Sequence, residues 1–335
     1  MTVSVQQTVR RDNAKISIII PARNAQSTIT RCIRRVFCNR YDNIECIVVV
    51  NDSSDKTLMV CRALQKQYPG LKVISTETGG VSYARNLGLD CASGDIIGFC
   101  DADDMYEPGA IDNVLSDFSR YASDIVITGF FRAEKNGNCL KKSKALFSLI
   151  PQLVSVKKIR LLVISNKDVV GSVWNKFFKR NAIMRCRFDT SLTHCEDTHF
   201  VMTVLKQDNL KILLSNSVTY NYIYEPLSTT NNADKIFDEN DELKYFASIN
   251  KISKLYRRDL RVLTELAAAR TTLGIENYRF AETSTERKKR LRRVTAKNLW
   301  GYLLTAYERN IKETKSYMVS FFRMFIRESD GKVIE

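Results

Sequence analysis

Three carboxylates stand within four positions of the chain, at Asp101, Asp103 and Asp104. The apolar run Ile96–Cys100 comes directly before them and predicts a strand that is buried on both faces. Carboxylates this close repel one another unless a cation or protons compensate their charge. The pattern therefore predicts either a divalent-metal site or an acidic surface turn, and both interpretations stay open on this stretch alone.

A second acidic pair, Glu196 and Asp197, lies about 95 residues further along. Phe200, Val201 and Val204 follow at helical spacing, which places the pair at the start of a helix. An ionised carboxylate there can take a proton from a reacting hydroxyl as a general base. It can also simply cap the helix or interact favourably with its dipole.

The composition limits the classes of protein to consider. A net charge of +15 over 335 residues indicates an anionic partner, such as nucleotide phosphates, an anionic membrane surface or nucleic acid. Nine cysteines without a CxxC pair predict reduced thiols in a cytosolic protein, and two histidines are too few for a histidine-rich zinc site. The sequence shows neither a signal-peptide pattern nor an apolar run of about 18 residues, so we expect no membrane span.

The elements that must position the acids alternate in type along the first 100 residues. Apolar runs predict four strands, at Ile16–Ile20, Ile44–Val50, Leu71–Ser75 and Gly94–Cys100. Helical patterns lie between them, at Asn24–Phe37 (capped by Asn24 or Ser27), at Asp55–Tyr68 and after Gly79-Gly80. This alternation is typical of an α/β fold, with a mostly parallel sheet and helices on both faces.

The carboxyl ends of parallel strands lie along one edge of a sheet. That edge would gather Pro21–Asn24, Asn51–Ser53 and Asp101–Asp104. Polar residues at the ends of successive parallel strands are typical of a nucleotide-binding crevice. A helix is also expected to begin with Pro108 in its first turn, just after the acids.

The rest of the chain is predicted to hold a strand at Asp124–Phe131, a polar loop at Asn136–Lys144, a helix at Val154–Ser165 and a strand at Val218–Glu225. From about residue 236 the pattern becomes helical, with further helices expected at 259–271 and 296–326. We therefore predict an N-terminal tail (1–14), an α/β domain (15–235) and a basic helical domain (236–335).

The sequence resembles the family 2 inverting glycosyltransferases of GT-A fold, especially those that build bacterial surface polysaccharides. The resemblance covers roughly residues 15–232 and rests on SIIIPARN, VVVNDSSD, GGVSYARNLGLDCASGDIIGFCDADDMYEPGAI, VWNKFFKR, HCEDTHF and YNYIYEPLSTT. It implies a Rossmann-like GT-A domain that transfers a sugar from a nucleotide sugar, in the first instance a UDP-sugar, to a hydroxyl of a glycan or lipid-linked glycan acceptor. It also implies Mg²⁺ or Mn²⁺ as cofactor.

The same resemblance assigns roles on the donor side. Pro21, Arg23 and Asn24 would line the nucleotide pocket, and Asp52 would contact the base. Arg85 would belong to the helix that faces the donor. The family usually has a second acid in place of Asn51, glycine in place of Ser53 and an aromatic residue in place of Arg23, so the base preference of this chain could differ.

Other roles fall on the acids. Asp101 and Asp103 would form the D-x-D motif, with Asp101 near the ribose or a metal-bound water and Asp103 on the metal. Asp197 would be the catalytic base and Glu196 its neighbour. Physical chemistry is compatible with this assignment, because a hard cation offsets charge on a leaving diphosphate and one carboxylate suffices to deprotonate the attacking hydroxyl. Direct backside attack would invert the anomeric centre.

Two further residues are candidate acceptor contacts. His194 lies beside the predicted base, although exposed loop histidines are common, and Trp174 is either an acceptor platform or a core residue. Lys176 is either a solvated charge or a support for the acidic site.

The segment 287–327 carries twelve Lys and Arg against two acids, together with a stripe of apolar residues. It could contact the inner face of the plasma membrane, which would make the cytoplasmic protein peripheral, or it could pack on a domain or join subunits of a homo-oligomer. Nucleic acid is not a predicted partner, because no base-stacking motif is present.

Two rival classes remain at this point. A D-x-D phosphohydrolase would need Thr or Val two positions after the second acid, where the chain has Met105, and would carry its acids on an early strand. A non-catalytic nucleotide-sugar or membrane-binding protein is the other, although Asp103 and Asp197 are both intact.

Overall fold

The computed structural model of the chain describes residues 14–39, 41–136, 139–145, 150–165, 171–224, 239–259, 262, 263 and 266. The chain divides into two compact units, one of Met1–Ile159 with Asp168–Asn231 and one of Arg160–Lys167 with Asn232–Glu335. Residues 1–13, most of the helix expected at 259–271, the helix expected at 296–326 and the basic segment 287–327 lie outside the described residues.

One mixed sheet forms the body of the first unit. Its strands are β1 (Ile16–Ala22), β2 (Ile44–Asn51), β3 (Leu71–Thr76), β4 (Ile96–Phe99), β5 (Met105–Tyr106), β6 (Ile125–Asn136), β7 (Cys139–Ala145), β8 (Gln152–Val154), β9 (Lys176–Lys179) and β10 (Ile212–Tyr224). Their order is β3-β2-β1-β4-β9-β6-β10-β5, with β7 on β6 and β8 on β10.

The helices are α1 (Ile29–Phe37), α2 (Thr57–Gln65), α3 (Val81–Cys91), α4 (Ala110–Tyr121), α5 (Val156–Ser165), α6 (Arg180–Ile183), α7 (Glu196–Val204) and α8 (Glu239–Leu255). Within the described ranges, none of them is both long enough and apolar enough to span a membrane.

The first four strands form the parallel half of the sheet that the sequence predicted. β1 pairs in parallel with both β2 and β4, and β2 pairs in parallel with β3. All residues of β1, β2 and β4 are buried, which explains why these strands are continuous apolar runs instead of alternating patterns. The predicted α/β class is therefore confirmed, and the carboxyl ends of β1, β2 and β4 lie along one edge.

The second half of the sheet is built around β9, which the sequence did not predict. β9 lies between β4 and β6 and is antiparallel to both. Phe177 and Phe178 on this strand are buried, and Phe178 packs edge-on against Phe99 of β4 with ring centroids 6.3 Å apart. Strand β9 thus joins β4 to β6, and β6 pairs in turn with β10 in parallel orientation.

Three local predictions were wrong. The loop predicted at Asn136–Lys144 is largely strand β7, because the backbone of β6 pairs with it from Phe130 to Asn136. The first helix begins at Ile29 and not at Asn24, since Asn24 has a left-handed φ of 49° and its side chain is bonded to the next loop. The helix after the acids begins at Ala110, beyond Pro108, with the left-handed Gly109 before it.

An ion cluster around the buried carboxylate of Glu45 lies at the amino end of the parallel strands. Glu45, with 2 % of its side chain exposed, accepts hydrogen bonds from Lys72 Nζ at 2.6 Å, Lys15 Nζ at 3.0 Å and Ser17 Oγ at 2.6 Å. Ser93 donates both its backbone N–H and its hydroxyl to the same carboxylate, each at 2.8 Å. Burial alone would raise the pKa of Glu45, but these bonds outweigh it and hold the pKa well below its usual range.

Candidate active site

The D-x-D turn follows β4 at the carboxyl edge of the parallel strands, where the sequence placed it. The backbone N–H of Asp101 donates to the Tyr220 hydroxyl at 3.0 Å, and that hydroxyl donates to Asp104 Oδ2 at 2.8 Å. Asp104 Oδ1 accepts the backbone N–H of Ile223 at 2.7 Å. Asp104 is 2 % exposed, and burial raises the pKa of this carboxyl well above its usual range. Asp104 therefore fixes the turn to β10, which is a structural role.

The other two acids of the turn are open to solvent to different degrees. Asp103 is exposed and 30 % of the Asp101 side chain is accessible. Arg31 on α1 donates to the backbone carbonyl of Asp103 at 2.7 Å. The turn is thus held by α1 on one side and β10 on the other, while the side chains of Asp101 and Asp103 stay accessible.

Arg85 joins the two acidic stretches of the sequence. From α3 its guanidinium donates through Nη2 to Asp101 Oδ1 at 3.0 Å and through Nη1 to Asp197 Oδ1 at 2.5 Å. Nη1 also donates to Glu196 Oε1 at 3.2 Å. The structure therefore brings Asp101, Glu196 and Asp197 around a single cation, although Asp101 and Asp197 are 96 positions apart in the sequence.

This guanidinium is almost completely buried, with 4 % of the side chain exposed. It lies over the ring of Phe188, with Cζ 5.4 Å from the ring centroid. Although burial opposes the charge, Asp197, Asp101 and Glu196 outweigh it and raise the pKa of Arg85, which stays charged. One positive charge among three carboxylates leaves an excess of negative charge at this edge of the sheet.

Asp197 stands in the first turn of α7, after Cys195 in a left-handed conformation with φ of 53°. No side-chain hydrogen bond caps this helix, so the capping interpretation of Asp197 is not what the structure shows. Its Oδ2 instead accepts the backbone N–H of Val173 at 3.3 Å. Burial raises the pKa of Asp197 above its usual range, and the opposing effect of Arg85 does not cancel the rise.

The predicted nucleotide loops after β1 and β2 are bound to each other. Arg23 donates to Asp52 Oδ2 at 2.6 Å and to the Asp52 carbonyl at 3.3 Å. Asn24 Oδ1 accepts the backbone N–H of Ser54 at 2.9 Å, and Asn24 and Asp52 both have left-handed φ angles, of 49° and 48°. These interlocked loops present an exposed acid and an exposed guanidinium side by side.

Asp52 is also close to the start of α3. A Cβ placed on Gly79 would lie 3.3 Å from Asp52 Oδ2, so the chain approaches this carboxylate closely just before the helix that carries Arg85. Helix α3 therefore begins beside Asp52 and carries Arg85, which contacts Asp101, Glu196 and Asp197.

The remaining predicted residues have varied positions. Pro21 is buried within β1, where it pairs with Val49. His194 is half-buried in the turn before α7, and Thr193 Oγ1 lies 3.2 Å from its Nδ1. Trp174 is 5 % exposed and stacks on Tyr220, with ring centroids 4.6 Å apart, so it packs as a core residue.

Hard oxygen donors are the ligands that Mg²⁺ and Mn²⁺ favour, and Mg²⁺ is usually held by one or two carboxylates with phosphate oxygens and waters. Asp101 and Asp103 supply two such carboxylates on one turn, and both are accessible. Within the described ranges, no group of three or more His, Cys, Asp or Glu side chains is arranged to hold an ion. The donor set fits a cation that is shared with a phosphorylated substrate.

Sequence reasoning missed several contributors to this site. Tyr220 links Asp101 to Asp104, and the backbone of Val173 contacts Asp197. Tyr220 belongs to the alternating strand VTYNYIYE, so its buried hydroxyl was a detectable signal, because a buried phenol needs a polar partner. The Val173 contact uses a backbone group, which no residue pattern reveals.

Fold and site together define a class: an α/β protein with acids at the carboxyl ends of parallel strands and a second acidic pair brought to them by one arginine. The family model described as "Glycosyl transferase family 2" matches residues 17–187. The chain belongs to glycosyltransferase family 2. The family resemblance predicted from the sequence is thereby confirmed.

Similar curated proteins include "Minor teichoic acid biosynthesis protein GgaB" of Bacillus subtilis, 30% identical over 216 residues that cover 63% of this chain and 23% of GgaB. "Glycosyltransferase GlyA" of Streptococcus pneumoniae is 24% identical over 185 residues, covering 52% of this chain and 26% of GlyA. The chain thus spans about a quarter of the length of these two relatives.

Solved structures share the fold. The S. aureus TarS 1–349 complex with UDP-GlcNAc aligns with a TM-score of 0.55 at 18% identity, covering 88% of this chain and 92% of that chain. The mannosyltransferase PcManGT from Pyrobaculum calidifontis, in complex with GDP-Man and Mn²⁺, aligns at 0.53 with 14% identity, covering 95% and 88%. These likenesses confirm the predicted GT-A fold.

Proposed function

We propose that the protein is a metal-dependent inverting glycosyltransferase that moves a sugar from a nucleotide sugar to a hydroxyl of a glycan acceptor. The observation that carries the proposal is the guanidinium of Arg85, which holds Asp101 of the D-x-D turn and Asp197 of α7 at 3.0 and 2.5 Å. A donor at the turn and an acceptor at α7 would therefore meet across one buried side chain.

Asp197 acts as the general base in this proposal. Its Oδ1 is bound by Arg85 and its Oδ2 by the Val173 N–H, so both oxygens have a fixed direction. Because burial raises its pKa, it is a stronger base than an exposed aspartate. It takes the acceptor proton as the hydroxyl attacks the anomeric carbon from the face opposite the leaving diphosphate, which inverts that centre. Glu196 adds negative charge beside it.

Asp103 and Asp101 would hold Mg²⁺ or Mn²⁺ together with the donor's diphosphate. When bound, the cation offsets the negative charge that grows on the departing diphosphate. Asp101 also accepts from Arg85, which couples its position to that of the base. Asp104 and Tyr220 keep the turn in place during the reaction.

The donor is proposed to be a UDP-sugar. Pro21, Arg23, Asn24 and Asp52 would form the nucleotide pocket, in which the Asp52 carboxylate accepts an N–H from the base and Arg23 holds that carboxylate. The S. aureus TarS complexes with UDP and with UDP-GlcNAc, which share the fold, support this choice. The complex of PcManGT with GDP-Man and Mn²⁺ supports the metal.

The acceptor is proposed to be a surface glycan or lipid-linked glycan. The names of the relatives support it, since GgaB is a minor teichoic acid biosynthesis protein. His194, in the turn before the base, is the residue we propose to contact this acceptor. The packing of Trp174 in the aromatic core does not support the same role for its ring.

We also propose that residues 15–235 form the catalytic domain and that 236–335 form a basic helical domain. For the segment 287–327 we propose contact with an anionic membrane, because it carries twelve Lys and Arg and two acids. Flotation of the full chain with phosphatidylglycerol vesicles tests this. Replacing Arg287, Lys288, Lys289 and Arg290 with Glu should abolish flotation, and a variant that floats unchanged would contradict this contact. A wild-type chain that does not float would favour packing or a homo-oligomer.

The test of the function is a screen of UDP- and GDP-sugars for Mn²⁺-dependent thermal stabilisation, followed by transfer to glycan acceptors. We expect stabilisation by a UDP-sugar and a product whose anomeric configuration, read by NMR coupling constants, is opposite to that of the donor. A retained configuration would contradict the inverting mechanism. Stabilisation without transfer to any acceptor would favour a binding protein.

A further inference from the structure

Lys176 is a charged residue that the proposed reaction does not use, yet it is buried at the centre of the sheet. It begins β9, and only 1 % of its surface is exposed. Its Nζ donates to the Ser172 carbonyl at 2.6 Å and to Asn175 Oδ1 at 2.8 Å. Burial lowers the pKa of Lys176 to about 7, although Asp197 opposes this change. A buried amine is costly unless its hydrogen bonds are made, so its two acceptors matter.

The element that Lys176 holds is the turn from Ser172 to Asn175. The backbone closes this turn with a hydrogen bond from Lys176 N to the Val173 carbonyl at 3.0 Å. Asn175, which is fully buried, fixes the other side of the turn to β6. Its carbonyl accepts the Thr128 N–H at 3.0 Å and its Nδ2 donates to the Thr128 carbonyl at 3.3 Å. The turn is therefore attached to β6 inside the sheet.

The same turn reaches the acidic pair on α7. The Val173 N–H, between the two groups that Lys176 binds, donates to Asp197 Oδ2 at 3.3 Å. Gly171, just before the turn, packs against the residue that follows Asp197. A Cβ on Gly171 would lie 1.9 Å from Thr198 Oγ1. Two contacts thus transmit the position of the turn to the start of α7.

We propose that Lys176 is a positioning residue for the general base. It fixes the Ser172–Asn175 turn so that the Val173 N–H orients Asp197 Oδ2, while Arg85 binds Oδ1. The proposal rests on the proposed function, because it takes Asp197 as the base. Lys176 touches neither donor nor acceptor in this account. It acts on Asp197 through the turn and through its charge, which lies close enough to interact with that carboxylate.

The test replaces Lys176 with Met in the full chain, which keeps the length of the side chain and removes its donors. We expect kcat to fall by about 100-fold, the cost of a base displaced by about 1 Å. The KM for the donor and the Mn²⁺-dependent affinity for UDP should stay at wild-type values, because the D-x-D turn is untouched. The melting temperature should fall moderately, because the Ser172 carbonyl and Asn175 Oδ1 lose this donor while the cost of burying the amine is removed.

A matched control is Lys179→Met on the same strand. Lys179 is 21 % exposed and pairs with Asp124 at 3.4 Å, away from the turn. This variant should keep the wild-type kcat. A second variant, Gly171→Ala, approaches the same contact from the other side, and its Cβ would push Thr198 away. It should lower kcat without changing UDP binding, and it carries the test if the Lys176→Met protein does not fold.

The pH profile separates positioning from a general loss of structure. Burial raises the pKa of Asp197 and Arg85 lowers it, while Glu196 and Asp101 raise it and the Val173 N–H lowers it. In Lys176→Met the acidic limb of kcat/KM should move to higher pH, because the lost ammonium and a shifted Val173 N–H both raise the pKa of Asp197. In Gly171→Ala, which keeps the ammonium, a shift in the same direction reports on the turn alone. A folded Lys176→Met protein with wild-type kcat and an unchanged limb would overturn the proposal. Absence of transfer by the wild-type protein would instead count against the proposed function.

Discussion

The two ends of the parallel strands carry buried ion clusters of opposite balance. At the amino end, the single carboxylate of Glu45 is surrounded by two lysines and two serines. At the carboxyl end, the single guanidinium of Arg85 is surrounded by three carboxylates. One cluster has more donors than its acid needs, and the other has more acids than its cation can neutralise.

This difference separates a structural cluster from a reactive one. Glu45 has its pKa lowered and both oxygens hydrogen-bonded, so it binds a proton only in strong acid. Asp197 has its pKa raised, and the excess negative charge around Arg85 favours binding of a cation or a proton. Two clusters with similar residue types therefore serve stability at one edge and, as we propose, chemistry at the other.

The largest effect is expected from Asp197→Asn. Loss of the base should reduce kcat by about 10²- to 10⁴-fold, because the acceptor proton then has no partner of suitable pKa. A transfer assay at saturating donor and acceptor measures this. The amide keeps the shape of the side chain, so the melting temperature should change little. Full turnover by this variant would remove Asp197 from the role of base.

The next largest effect is expected from Arg85→Gln, which removes the guanidinium that the three carboxylates share. It leaves Asp101, Glu196 and Asp197 without their common partner and should lower the free energy of unfolding by about 3 kcal/mol. Transfer should also fall by about 100-fold as the base loses its orientation. Urea unfolding and the transfer assay measure the two effects.

The matched control for Arg85 is Arg187→Gln. Arg187 pairs with Asp90 at 2.7 Å, but both side chains are about half exposed. Because surface ion pairs contribute little, its loss should cost less than about 1 kcal/mol. Equal costs for the two arginines would contradict the contrast between a buried, overloaded cation and a surface pair.

The pH dependence should follow from the raised pKa of Asp197. The base works only when ionised, so kcat/KM should fall as the pH drops through this pKa, by about tenfold for each pH unit. The limb should lie above the usual aspartate range, since burial raises the pKa. Initial rates at saturating donor and low acceptor concentration, measured in buffers of different pH, check this prediction. A limb near the pKa of an exposed aspartate would contradict the electrostatic account.

The smallest effect on activity is expected from Glu45→Gln. It should lower the free energy of unfolding by about 2 kcal/mol at neutral pH through the loss of charged hydrogen bonds, with kcat unchanged. The pKa of Glu45 is lower in the folded protein, so its contribution is present above the pKa of an unfolded glutamate and is lost as the pH falls. Urea unfolding at several pH values should therefore show the difference from wild type shrinking in acid.

Asp42→Asn is the control for Glu45. Asp42 is exposed, just before β2 and at the same end of the sheet. Its replacement should change the free energy of unfolding by less than about 0.5 kcal/mol. A drop in kcat for Glu45→Gln at unchanged stability would show that the amino-end cluster is more than structural.

The sequence predicted the parallel half of the sheet well because β1, β2 and β4 are buried on both faces and consist mostly of apolar residues. It also placed Asp101, Asp103 and Asp197 at element ends. It did not predict β9, whose aromatic residues gain their strand conformation only from pairing with β4 and β6. β7 was missed for the same reason, since its pairing with β6 outweighs its polar composition.

The geometry of the site was harder to predict than its residues. Arg85 was expected to face the donor, but its contact with both acidic stretches depends on packing between α3 and α7, over 100 positions apart. Asp104 had no assigned role until Tyr220 and Ile223 were seen to bind it. Lys176 was undecided between a surface charge and a support, and its burial excludes the surface interpretation.

The central claim is that the acids divide into a donor half at Asp101 and Asp103 and a base half at Asp197. Calorimetric titration of UDP into the wild-type protein, Asp103→Ala and Asp197→Asn, with and without Mn²⁺, tests it most directly. We predict that Asp197→Asn binds UDP with the wild-type dependence on Mn²⁺, whereas Asp103→Ala loses that dependence. If Asp103→Ala keeps the metal dependence, or Asp197→Asn loses it, the division of the site into two halves is wrong.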